Sequence, residues 1–110
     1  MADSYYHKES TKYLRKLRQL QPDLFASFVE FDKKVFAEGS LTVKMKELIA
    51  VALGHALQCP FCIEAHTARA QKAGAAEAEI AEAVFVAMAL RAGASFAHAG
   101  IAMEATEPKT

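Results

Sequence analysis

The chain carries only two cysteines, Cys59 and Cys62, and they stand three apart in the stretch QCPFCIEAHT with His66 four residues further on. On a helix each residue advances by about 100°, which brings Cys59, Cys62 and His66 within about 60° of one another along one face. Pro60 suits the first helical position, so Cys59 falls at the mouth of the helix. Three readings are open from these residues: a redox pair with its own base, part of a metal site, or two neighbouring core cysteines.

The redox reading depends on forming a thiolate, since the thiolate is the reactive species. The helix N-terminus offers partial positive charge to both sulfurs. His66, one turn beyond Cys62, is placed to accept its proton and hold the anion as an ion pair. In that arrangement Cys62 would attack an oxidised substrate such as a peroxide and become a sulfenic acid. Cys59 would then condense with it to a disulfide, and an external dithiol would reduce the pair. Thioredoxin-type reasoning has the outer cysteine, Cys59, attack first, so spacing alone leaves the order open. The metal reading uses the same three side chains as zinc ligands, with His55 or Glu47 to complete four. It would make the chain a zinc- or redox-sensing module rather than an enzyme.

A further polar group stands in the apolar run KMKELIAVALGHAL. Glu47 shares a helical stripe with Val51, Gly54 and Gln58, and a carboxylate there costs energy unless it is hydrogen-bonded or does chemistry. The alternative is a surface glutamate paired with Lys44 or Lys46. Gly54 would let a neighbouring backbone approach closely. His55 reads as a core histidine, His7 as exposed, and Arg91 and His98 as lining a site or anchoring a subunit contact.

The elements that must position these residues are all helical, because helical spacing recurs and strand-like alternation does not. The spacing predicts helices over Lys8 to Leu20 and from Pro22 to Gly39-Ser40, the second with Leu24, Phe25, Phe28, Phe31, Val35 and Phe36 buried. A third is expected over Thr42 to Leu57, and a fourth from Pro60 to a stop at Lys72 to Gly74. A fifth begins around Ala76, with Ile80, Val84, Phe85 and Met88 inward. Gly93 is expected to break it, leaving Ala94 to Met103 as a sixth.

With 110 residues the chain is read as one domain, residues 1–110. Lysine plus arginine equals aspartate plus glutamate at 13 each, so no net field would draw nucleic acid or an anionic membrane. The stretch from Ala83 to Met103 has the length of a membrane span, but Arg91, Ser95 and His98 argue for a buried helix pair. The N-terminus shows no secretory pattern, and the expectation is a cytoplasmic protein. The later helices are apolar on nearly every side, more than a small monomer can bury, so a homo-oligomer is expected.

Glu47, eleven intervening residues, then Cys59-x-x-Cys62-x-x-x-His66 resembles the signature of alkylhydroperoxidase D-like proteins of the carboxymuconolactone decarboxylase superfamily. The segment ELIAVALGHALQCPFCIEAHTARAQKAGA is similar to that family's core throughout. The resemblance implies an all-α fold of about six helices, assembled as a homotrimer or homohexamer. It also implies an antioxidant, peroxiredoxin-type activity that reduces a hydroperoxide without a cofactor and is restored by a dithiol, lipoyl or thioredoxin-type reductant. Under it Cys62 is the peroxidatic thiol, Cys59 resolves it, and Glu47 and His66 relay protons. The best-known member has a histidine within the CxxC where this chain has Phe61. The decarboxylases of the superfamily generally lack the cysteine pair, so its presence points away from lactone decarboxylation.

Overall fold

The computed structural model describes residues 10–109, which form five helices and no strand. These are α1 (Ser10–Leu20), α2 (Pro22–Val35), α3 (Val43–Ala56), α4 (Pro60–Lys72) and α5 (Glu77–Ala105). The chain divides into two compact units, Met1–Ala37 with α1 and α2, and Glu38–Thr110 with α3 to α5. His7 and the start of the first expected helix lie outside the described residues.

In the first unit the chain passes almost directly from α1 into α2. The Gln21 N–H donates to the Leu17 carbonyl, and Pro22 occupies the first turn of α2, where its missing N–H is harmless. The stripe expected to be buried on α2 is not buried in a single chain: Leu24, Phe28 and Phe31 are each more than half exposed. The helical periodicity is as the sequence implies, while Phe25, with the Arg18 guanidinium over its ring, and Phe36 are partly covered.

The second unit is built on α3. Thr42 caps it, its hydroxyl oxygen accepting the Met45 N–H at 3.1 Å. Helix α4 packs antiparallel to it and α5 parallel. At the start, Lys44 Nζ lies 2.9 Å from Glu79 Oε2 on α5; at the end, the Arg91 guanidinium donates to the Ala56 carbonyl at 2.5 Å. Both ties span 35 residues, which fixes the parallel register. The core between the helices is small: Val51, Ala70, Ala75 and Ala87. Small side chains permit the close approach that a three-helix unit of this size needs.

Both α3 and α4 end in a Schellman motif. At the end of α4 the Ala75 N–H reaches the Ala70 carbonyl and the Gly74 N–H the Gln71 carbonyl, with Gly74 at φ +98°. At the end of α3 the Cys59 N–H reaches the Gly54 carbonyl and the Gln58 N–H the His55 carbonyl, with Gln58 at φ +56°. Glycine fills the left-handed position in the first case and glutamine in the second.

The expected break at Gly93 does not occur. Helix α5 runs unbroken for 29 residues, so the fifth and sixth expected helices are one and the described residues hold five rather than six. An interior glycine costs a helix about 1 kcal/mol, too little to stop a run this rich in alanine. Only the inward edge of its first half, Glu79, Ile80, Ala83, Val84 and Ala87, is covered; Phe85 and Met88, expected inward, face out. From Met88 onward every described residue is exposed. The helix is long and apolar enough to cross a membrane by length and composition, with mean hydropathy 1.5 over its most apolar window.

Candidate active site

Cys59 and Cys62 are joined by a disulfide, with their Cα atoms 5.2 Å apart, inside the range a disulfide spans without backbone movement. The geometry follows from the junction of α3 and α4. Cys59 closes the Schellman motif of α3 through its N–H and is at the same time the N-cap of α4. Its Sγ accepts the Cys62 N–H at 3.2 Å, and its carbonyl accepts the Ile63 N–H at 2.9 Å. One residue thus ends one helix and starts the next, and its sulfur stands at the positive end of α4.

Glu47 is 4 % exposed, the one buried charged side chain among the described residues. It pairs with neither Lys44 nor Lys46. The His66 Nδ1–H donates to Glu47 Oε1 at 2.6 Å, joining the middle of α3 to α4 across the packed face. A carboxylate oxygen accepts, so the neutral ring keeps its proton on Nδ1 and carries its lone pair on Nε2. His66 stands one turn after Cys62, on the same side of α4. The structure therefore brings Glu47, His66 and the Cys59–Cys62 pair to one interface, that of α3 with α4.

Gly54 makes that interface possible. A Cβ at this position would meet Ile63 Cγ1 and the Ile63 nitrogen at 3.3 Å and Cys62 Cβ at 3.4 Å. The stripe read from the sequence holds for Glu47, Val51 and Gly54, all buried, and fails at Gln58. Helix α3 ends at Ala56, so Gln58 leaves the helical phase and turns outward.

The remaining candidates take other places. His55 donates through Nδ1–H to the Val51 carbonyl at 2.8 Å and is half-buried. His98 makes the equivalent bond to the Ala94 carbonyl at 2.9 Å on the exposed part of α5. Among the described residues no three histidine, cysteine, aspartate or glutamate side chains converge as metal ligands. Arg91 reaches back to the α3–α4 junction, a position that only a long-range contact reveals. A lone cation in an apolar helix was its one sequence signal.

Comparison with known proteins agrees with this architecture. A protein of Methanobacterium thermoautotrophicum superposes with a TM-score of 0.73 at 38 % identity, over 77 % of this chain and 96 % of that one. A carboxymuconolactone decarboxylase family protein of Legionella pneumophila superposes with a TM-score of 0.69 at 37 % identity, over 89 % and 88 %. In sequence, an uncharacterized protein of the cox locus of Paracoccus denitrificans is 48 % identical over 77 residues, 70 % of this chain and 69 % of that protein. An uncharacterized protein of Cupriavidus necator is 30 % identical over 95 residues, 86 % and 84 %. The family model for carboxymuconolactone decarboxylases matches residues 22–105, spanning α2 to α5 and every residue of the site. All-helical in its described residues, with that match and a family member as structural neighbour, this chain belongs to the carboxymuconolactone decarboxylase family.

Proposed function

We propose that this chain is a thiol-dependent peroxidase of the alkylhydroperoxidase kind, acting in the cytoplasm as a homotrimer or homohexamer. The observation that carries the reading is the buried Glu47–His66 hydrogen bond, placed one turn after Cys62, which is bonded to Cys59. A buried carboxylate that orients an imidazole next to a thiol is an arrangement suited to moving a proton to and from sulfur.

The cycle starts from the dithiol. His66, oriented by Glu47, takes the Cys62 proton. The Cys62 thiolate attacks the terminal oxygen of a hydroperoxide, the O–O bond breaks, and the alkoxide leaves with the proton held by His66, giving an alcohol and a sulfenic acid on Cys62. The Cys59 thiolate attacks that sulfur, expelling hydroxide, which is protonated to water, and forming the disulfide. An external dithiol then exchanges with the Cys59–Cys62 bond, leaving as its own disulfide and returning two protons and two electrons to the pair. The relay uses Glu47 and His66 without a histidine at position 61, where Phe61 stands.

Exposed apolar surface supports the assembly. Leu53, Leu57, Phe85, Val86, Leu90, Phe96 and Ile101 are all more than half exposed in one chain, and surface of this extent is ordinarily covered by another protein. The test is stopped-flow oxidation of the reduced protein by cumene hydroperoxide. Wild type is expected to lose two thiols per turnover and Cys62→Ser to react no faster than a free thiol. An unchanged rate in Cys62→Ser would remove Cys62 from the mechanism.

A further inference from the structure

Pro60 creates a deficit at the end of α3 that the backbone does not repair. In a continuing helix the Ala56 carbonyl would accept the N–H of residue 60, and proline has none. The N–H of residue 59, the next nearest donor, is committed to the Gly54 carbonyl. That of Gln58 goes to the His55 carbonyl, and that of Leu57 to the Leu53 carbonyl. Ala56 is thus the last helical residue before the redox turn, with a carbonyl that the local backbone leaves unpaired. Among the described residues the hydrogen bond that it accepts comes from Arg91, at 2.5 Å, from 35 residues away on α5.

We propose that Arg91 is a positioning residue for the Cys59–Cys62 couple, an inference that rests on the redox reading of that pair. The guanidinium pins the carbonyl three residues before Cys59 and sets a positive charge at the negative end of α3. It is also the single lysine or arginine of α5. Between Ala56 and Cys59 the chain passes through Leu57 and the left-handed Gln58, both exposed, so this turn has little packing of its own to hold it. Cys59 is held from both sides, by its place as N-cap of α4 and by the Schellman bond of its N–H to the Gly54 carbonyl, and the second of these depends on how the end of α3 is fixed. Removing the clamp loosens the entry to Cys59, lowers the effective concentration of one thiol at the other, and makes the disulfide easier to reduce.

The experiment is equilibration of the purified protein with reduced and oxidised dithiothreitol, reading the dithiol–disulfide ratio by alkylation and mass. For Arg91→Ala the effective concentration of the thiols is expected to fall about tenfold, a shift of about 30 mV for a two-electron couple. Arg91→Lys keeps a charge and a donor and is expected to recover most of it. Lys44→Ala cuts the other tie between the same two helices, at their opposite end, and is expected to leave the couple at its wild-type value. Should Arg91→Ala fail to fold, Arg91→Gln serves in its place, with a shift in the same direction. An unchanged ratio in the Arg91 variants, or an equal shift in Lys44→Ala, overturns the positioning role. A wild-type pair that does not cycle with dithiothreitol overturns the redox reading, and this inference with it.

Discussion

His66 Nδ1 lies 2.6 Å from Glu47 Oε1, and the carboxylate in that pair is 4 % exposed. A buried charge of this kind persists only with a partner. The pair has a structural role and, under the proposed function, a chemical one, and substitution at Glu47 separates them. Glu47→Gln keeps the volume and offers an amide oxygen to the His66 Nδ1–H, so folding should be little affected. It cannot compensate charge when His66 takes a proton. Peroxide turnover is expected to fall on the order of a hundredfold, the lower range of general acid–base contributions. Glu47→Ala should lower activity similarly and also lower thermal stability, because it leaves the His66 donor without its carboxylate. Steady-state turnover set beside melting curves for the two variants checks both parts.

Gly54 and Gly93 predict opposite responses to the same substitution. At Gly93 a Cβ meets nothing within 4 Å, and replacing an interior helix glycine by alanine is favourable by about 1 kcal/mol. Gly93→Ala should raise the unfolding free energy by about that amount. At Gly54 the same helical gain is opposed by contacts at 3.3 Å with the Ile63 side chain and backbone nitrogen. Overpacking of this sort costs about 1–3 kcal/mol, so Gly54→Ala should be neutral to destabilising, by up to about 2 kcal/mol. It should also slow turnover, since α4 must shift away from Glu47. Urea unfolding of both variants, with activity alongside, gives the comparison.

The site was more legible in the sequence than the fold around it, and the reason is physical. Cys59, Cys62 and His66 lie on one short helix, where phase alone places them together, and Glu47, Val51 and Gly54 share a stripe by the same arithmetic. These relations are local to α3 and α4. Burial of α2 and of the outer face of α5 is a different matter, because periodicity shows which residues share a face and not what covers it. Phe28, Phe31 and Phe85 keep their helical register yet stand exposed in a single chain. At Gly93 propensity suggested a stop, and the flanking helix formers outweighed it. Arg91 was ambiguous because its partner is a backbone carbonyl 35 residues away, made available by a proline in a third segment.

Gln58 holds the left-handed place that Gly74 fills in the companion motif. For a residue with a side chain that conformation costs about 1–2 kcal/mol, and glycine recovers most of it while giving up about 0.5–1 kcal/mol of backbone entropy. Gln58→Gly is therefore expected to stabilise the protein by up to about 1 kcal/mol. Gln58→Val, with a β-branched side chain, should destabilise it by more. Because the strain sits one residue from Cys59, the effect should appear in thermal unfolding of both the oxidised and the reduced protein. An unchanged melting temperature in Gln58→Val would mean that the turn is not held in this conformation in solution.

Glu79 carries a pH dependence whose sign follows from its contacts. The Ala76 N–H, donating to Oε1 at 2.8 Å, holds its carboxyl below the usual value of 4.5, and the Lys44 ammonium, 2.9 Å from Oε2, adds to this. A carboxyl with a lower value in the folded than in the unfolded state binds fewer protons when folded, so stability rises with pH across that interval. Its contribution is fully present above about pH 4.5, the unfolded value, and is lost as the pH falls through the folded one. Glu79→Gln should leave a shallower acid limb in a plot of unfolding free energy against pH, with the difference from wild type vanishing at the acid end. Lys44→Ala removes the smaller of the two causes and should flatten the limb only in part. If Glu79→Gln and wild type lose stability in parallel between pH 5 and pH 3, the cap and the ion pair contribute nothing to folding at the start of α5.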